Sequence, residues 1–186
     1  MFGIANLMGD RLQRFFGILP FLVNGCTCVL IVVSLSTTGW FYHKDSSYGL
    51  FQRCWITESG RRDCKNLDGG TAEKTASICL LVSLVLHFVA TVVSFLGHVE
   101  SRKKNYKIAG VFSTIAVFVI CGGSGTYAGM AILYTEFTLR YSFYVSVGAV
   151  GSSLFSTILS FSMLRFDENP KKININESLT EVTVLT

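Results

Sequence analysis

Four long apolar runs, about 15–39, 75–97, 108–133 and 141–164, alternate with polar gaps along the chain. Each run is long enough to cross the roughly 30 Å hydrocarbon layer of a bilayer as a helix. The gap at 40–74 changes period: Leu50, Gln52, Cys54 and Ile56 share one face of an alternating pattern, and Phe51, Arg53, Trp55 and Thr57 share the other. That alternation predicts strand, and Ser59-Gly60 supplies a turn. Cys54 and Cys64 lie five residues either side of Ser59, so a hairpin centred there sets the two thiols opposite each other. A disulfide closing so short a loop stabilises by roughly 2–3 kcal/mol, largely by restricting the unfolded loop. The expected fold is all-α and membrane-embedded: a four-transmembrane-helix bundle capped by a small disulfide-bridged extracellular β-sheet from the first loop. Residues 1–166 form this single domain, and 167–186, polar and without apolar periodicity, read as a flexible cytoplasmic tail.

Composition supports the membrane reading. Of 186 residues 50% are hydrophobic and 15% charged, with a mean hydropathy of +0.48, a combination rare in soluble domains. The charges crowd into the gaps. Between the second and third runs lie Arg102, Lys103, Lys104 and Lys107 against one acid, Glu100, which marks a cytoplasmic connector by the positive-inside rule. With every run spanning, both termini are cytoplasmic and loop 40–74 is outside. Counted over all gaps, the inside segments carry nine basic residues against seven outside. Placement of Cys54 and Cys64 in the one cysteine-bearing polar loop votes the same way, because disulfides need an oxidising compartment. Ser34-Leu35-Ser36 fits a signal-cleavage pattern, but the first run exceeds the usual 7–15-residue apolar core of a signal peptide and is expected to be retained. Asn176-Glu177-Ser178 is a formal glycosylation sequon in a tail that never meets the machinery.

Polar residues inside the runs have structural readings. Pro20 starts or kinks the first run, which membrane helices tolerate. Asn24 is expected to hydrogen-bond a neighbouring helix. His87 is expected to be a neutral imidazole bonded to a Ser, Thr or backbone carbonyl; the alternative, a proton relay, has no carboxylate in any run to serve it. Gly125 and Gly129 have a GxxxG spacing that lets another backbone approach. Ser142, Ser146, Ala149, Ser153, Ser156 and Ser160 fall on one helical stripe. It reads as a seam for bundle packing, with a subunit interface as the alternative. In the connector after the third run, Glu136 and Arg140 have the spacing of a helical ion pair.

The first loop also carries a resemblance. Trp40, Gly49-Leu50-Phe51, two residues, Cys54, nine residues and Cys64 resemble the first-loop signature of the claudin superfamily. That superfamily comprises claudins, peripheral myelin and epithelial membrane proteins, and gamma subunits of calcium channels and glutamate receptors. The distance from Trp40 to Phe51 is closer to the myelin and epithelial branch, and Phe51 replaces the Trp usual in the triplet. Tyr141-Ser142-Phe143-Tyr144 resembles the aromatic entry to the last helix in the gamma-subunit and myelin branches. The resemblance spans Phe15 to Leu164 as architecture. It implies that Trp40 anchors the sheet at the membrane surface, where indole rings settle. Claudins often end in a scaffold-docking Tyr-Val; the terminal Val184-Leu185-Thr186 departs from that and argues against such tethering.

Enzyme chemistry is not expected. His43, His87 and His98 are scattered, and no HExxH, GxSxG, phosphate loop or paired carboxylates occur. Cys26-x-Cys28 lacks zinc spacing, so no metal or cofactor is expected. No basic patch with interleaved aromatics points to nucleic acid. Transporters show intramembrane charges or broken helices, and tetraspanins need a far longer second exterior loop than 134–140. Two functions stay open. One is a structural protein of cell–cell contact, adhesion or barrier organisation, partnering the bilayer and itself or other claudin-like chains, with Phe41, Tyr42 and Trp55 as exposed loop contacts. The other is an auxiliary gamma-type subunit that alters trafficking or gating of a pore-forming channel or receptor.

Overall fold

A computed structural model describes residues 2–43, 46–57, 59–66, 71–100, 102–133 and 138–165. Helix α1 runs Phe2–Ser36, α2 Thr71–Glu100, α3 Lys103–Leu133 and α4 Tyr141–Arg165. Four stretches within them, Phe15–Ser36, Glu73–Glu100, Lys103–Gly129 and Tyr141–Leu164, have the length and apolarity to cross a membrane. The helices overrun the apolar runs because a charged residue ends hydropathy without ending backbone hydrogen bonding. α1 continues back through Arg11 and Arg14, and Pro20 lies inside it, buried. Glu100 and Arg102, paired at 3.2 Å, sit at the tight α2–α3 connection. The polar tail with its Asn176 sequon lies outside the described residues, as do Lys44, Asp45, Glu58 and Glu136.

The helices form a ring in chain order, each packed mainly on its two neighbours: α1 on α2 and α4, α3 on α2 and α4. Large apolar side chains such as Val85, Phe88, Phe118 and Ile158 point outward. That surface suits lipid and would be a liability in water.

Polar side chains point inward and stitch the bundle. The α4 stripe of Ser142, Ser146, Ala149, Ser153, Ser156 and Ser160 is wholly buried. Ser146 receives a bond from Ser124 of α3 at 3.1 Å, and its neighbour Ser152 pairs with Thr27 of α1 at 2.8 Å. Two bonds cross the centre: Ser113 of α3 donates to Asn24 Oδ1 at 3.1 Å, and His87 Nε2 of α2 pairs with Ser153 Oγ of α4 at 2.7 Å. His87 Nδ1 lies 3.0 Å from the Ser83 carbonyl. A carbonyl only accepts, so Nδ1 carries the hydrogen and Nε2 accepts from Ser153. Asn24 and His87 thus take the structural roles expected of them.

The GxxxG pair does not serve packing within the chain. Gly125 is exposed, and a Cβ added at Gly125 or Gly129 would meet nothing within 4 Å. Close approach of α2 and α3 occurs instead at Gly123, where a Cβ would stand 2.8 Å from Cys79 Cβ. The spacing reports a stripe, and the neighbouring Ala116, Ile120 and Tyr127 turn that stripe's opposite side inward.

The first loop folds into β1 Phe41–His43, β2 Ser46–Tyr48, β3 Gln52–Ile56 and β4 Arg62–Asn66, joined by β5 Thr138–Leu139 from the second connector. All pairs are antiparallel, in the order β4-β3-β2-β1-β5. Cys54 stands opposite Cys64 in the β3–β4 ladder and the two are disulfide-bonded. The turn between them closes with Thr57 N–H donating to Arg61 O at 2.8 Å, and Gly60 takes φ 74° there, a conformation glycine adopts without strain.

His87→Gln is expected to leave thermal stability in detergent within about 1 kcal/mol of the parent, since an amide can both donate and accept. His87→Leu, which strands Ser153, is expected to cost about 1–2 kcal/mol. Loss of function in a normally delivered His87→Gln protein would revive the proton-relay reading.

Candidate functional site

The sheet is fastened over one end of the bundle by the loop signature itself. Trp40 is fully buried, and its Nε1 donates to the Ser34 carbonyl at 2.8 Å. That carbonyl belongs to the last turn of α1, where no intrahelical donor remains. The indole packs against Tyr127 of α3 at 4.8 Å between ring centroids and against Phe143 of α4 at 6.4 Å. Trp40 is therefore held by protein on all sides, and the expected seat in the lipid interface is replaced by a seat between helix ends.

The other signature residues have equally local reasons. Gly49 lies so near the end of α1 that a Cβ would come 2.9 Å from both Thr37 O and Thr38 Cα. Leu50 is buried in the same cluster as Trp40, Ile31 and Tyr127. Phe51, by contrast, is 47% exposed. Backbone bonds finish the joint: Trp40 N–H donates to Tyr48 O at 3.0 Å, Arg140 N–H to Trp40 O at 3.1 Å and Ser142 N–H to Gly39 O at 3.1 Å. The last two tie the start of α4 to the strand that leaves α1.

The site unites residues of both loops and three helices, and its core repeats a sequence pattern. The sequence model of the PMP-22/EMP/MP20/Claudin family matches residues 16–165. The chain belongs to that family. It is a family of non-enzymatic membrane proteins, and the matched segment takes in the whole sheet and all four candidate spans except Phe15, the first residue of the first. A search of curated proteins finds no match. Among the described residues no group of three His, Cys, Asp or Glu is placed to hold a metal.

Of the three loop aromatics read as exposed contacts, this family member buries one. Phe41 is 3% exposed and stacks on Tyr127 at 4.7 Å between centroids. It is a core residue because the Tyr127 ring of α3 packs against both Trp40 and the side chain that follows it. Tyr42 is half-buried beneath Arg140, whose guanidinium carbon lies 4.2 Å from the ring centroid. Arg140 is engaged there, next to strand β5; the helical partner expected for it, Glu136, lies outside the described residues. Trp55 is half-buried on β3. Ile56, at 63%, is the more exposed apolar residue of that strand. Sequence reading missed Ile56 and Phe51 as surface groups because alternation assigns faces without saying how far a strand extends past the bundle.

Two sets of variants check this assembly by surface delivery and thermal unfolding in detergent. Trp40→Phe, which leaves the Ser34 carbonyl with only the long 3.5 Å bond from Thr37 Oγ1, is expected to lose about 1–3 kcal/mol. Gly49→Ala, which overpacks the joint, is expected to lose a similar amount, about 1–3 kcal/mol. Cys54→Ser and Cys64→Ser are each expected to lose about 2–3 kcal/mol and to reach the surface poorly; wild-type surface levels in both cysteine variants would refute a structural role for the bridge.

Proposed function

We propose that this chain is a multi-pass plasma-membrane protein of cell–cell contact, acting in adhesion or barrier organisation by lateral and loop-mediated association. In this reading the sheet faces outside and both termini are cytoplasmic. The basic α2–α3 connection and the disulfide in the sheet support that orientation. The observation that carries the reading is the rigid joint under the sheet. Trp40, Gly49 and Leu50 lock the first loop to the helix ends, and β5 locks the second connector to the first loop. A loop fixed at so many points presents a pre-ordered surface, with Arg53, Ile56, Asp63 and Lys65 exposed on its two faces. Pre-ordered surfaces bind with less entropy lost than mobile ones.

The competing reading, an auxiliary subunit clasping a channel or receptor, draws on the helices. Gly122 and Gly125 of α3, with Gly148 and Gly151 of α4, are exposed on the lipid-facing side with open space before them. Such faces accommodate a foreign helix as well as a copy of this one. Native co-purification in mild detergent, with mass spectrometry of near-stoichiometric partners, separates the two. The contact reading expects the chain itself and other claudin-like chains. A pore-forming channel or receptor at fixed ratio, without self-association, would overturn it in favour of the auxiliary role.

A further inference from the structure

Five buried side-chain groups find no hydrogen-bond partner among the described residues, and four of them gather in one part of the bundle. The fifth, Tyr127 Oη, stands apart under the sheet. The four are Asn24 Nδ2 of α1, Ser94 Oγ of α2, and Ser156 Oγ and Ser160 Oγ of α4, each on a residue with no exposed surface. Register sets them in two adjacent layers. Thr27 pairs with Ser152, and one turn further from the sheet on these antiparallel helices stand Asn24 and Ser156. His87 meets Ser153 across the centre. Ser94 and Ser160 lie two turns further along α2 and α4, which run the same way. Ser94 and Ser160 therefore face each other as His87 and Ser153 do, with two short side chains where an imidazole spans the centre above.

The surroundings give these groups nothing to bond. A Cβ on Gly110 of α3 would stand 3.4 Å from Ser160 Cβ, which puts α3 in the same layer. Buried neighbours here are Pro20, Ala90, Ala109 and Gly110, whose side chains offer neither donor nor acceptor. Cross-bundle bonds close both ends. Ser113–Asn24 and His87–Ser153 lie on the sheet side, and Tyr106 Oη donates to the Gly17 carbonyl at 3.1 Å on the other. A helical serine or threonine also has a carbonyl one turn back within reach. Ser77, Thr91, Thr114, Thr157 and Ser162 use it. Ser94, Ser156 and Ser160 do not, so their hydroxyls are turned from their own backbones into the bundle.

We propose that these two layers are a water-binding site: a cluster of about two to four ordered waters bonded to Asn24 Nδ2 and to the hydroxyls of Ser94, Ser156 and Ser160. An unpartnered polar group in a protein interior is strongly destabilising, and four groups so close together have one remedy in common. Asn24 Nδ2 donates, and each serine hydroxyl both donates and accepts, so a water set among them gives and receives. None of the residues of these layers is charged, so nothing there would fix an ion, and water is the ligand the chemistry selects. The cluster joins α1, α2 and α4 where no side chains bond directly. It does between Ser94 and Ser160 what the imidazole does between His87 and Ser153.

Removing each hydroxyl tests the site by the sign of its effect. In a dry interior a hydroxyl without a partner destabilises, and its loss raises stability. Beside bound water the same loss strips a hydrogen bond and lowers it. Ser94→Ala, Ser156→Ala and Ser160→Ala are each expected to lower the unfolding temperature of the full-length protein in detergent by about 2–4 °C. Combining Ser94→Ala with Ser160→Ala is expected to lower it by less than the sum, because both hydroxyls serve the same water. Methyl-labelled alanine supplies a second readout by nuclear magnetic resonance. Long-lived water is expected to transfer magnetisation to the methyls of Ala90 and Ala109, and not to that of Ala76, buried nearer the sheet. A rise in unfolding temperature for any of the three single variants, an additive double variant, or no transfer to the Ala90 and Ala109 methyls overturns the water site.

Discussion

The hydrogen bond from the Trp40 indole to the Ser34 carbonyl is the constraint on which the architecture turns. A helix that stops at a membrane surface leaves its last carbonyls without donors, and the chain leaving α1 must still pack against its own exit. Trp40 answers both demands with one side chain. Its N–H satisfies a carbonyl of the final turn, and its ring fills the space between α1, α3 and α4. The strand that follows is thereby laid over the helix ends, and Gly49 is brought down on Thr37 and Thr38. With that contact made, the hairpin carrying Cys54 and Cys64 has a fixed base.

Inside the bundle the logic is reversed. A hydrophobic interior cannot distinguish itself from lipid, so the helices are held by small residues and short hydrogen bonds. Such bonds average only about 0.6 kcal/mol each, which makes their distribution matter more than any one of them. Thr27–Ser152 and Ser124–Ser146 join neighbours, whereas Asn24–Ser113 and His87–Ser153 tie opposite helices through the centre. Serine suits this work because it lets backbones approach closely and still supplies both a donor and an acceptor.

Much of this was legible in the sequence, for identifiable reasons. Spans were legible because a bilayer demands long apolar runs. The Cys54–Cys64 bridge was legible because alternation and a Ser-Gly turn fix which residues face each other. The α4 seam was legible because its serines share one helical face. What escaped was direction and partnership. Phe41 in a polar loop looks exposed until Tyr127, far along the chain, is known to stack on it. β5 has only two residues, too few for any periodicity, and becomes a strand only by pairing with β1. Gly125 and Gly129 have the spacing of a contact face, but spacing cannot say that the face is turned away from the other three helices. Trp40 was assigned the right task and the wrong surroundings, because an indole at a helix end suits lipid headgroups and a protein cleft equally well.

The two halves of the molecule divide their labour along a chemical line. In the bundle, polar groups are turned inward and the outside is apolar; in the sheet, Leu50 and Phe41 are buried against the helix ends, while Arg53, Asp63 and Lys65 are exposed. The inversion occurs within the few residues between Ser34 and Phe41, and it is there that a buried indole, a backbone bond to the start of α4 and the close approach of Gly49 coincide. A membrane protein that must hold a polar platform steady above lipid cannot rely on lipid to hold it. The platform has to be bolted to the helix ends, and the spacing of the first-loop signature is the spacing of those bolts. Surface chemistry on the exposed strands β3 and β4 is then free to differ without disturbing the joint.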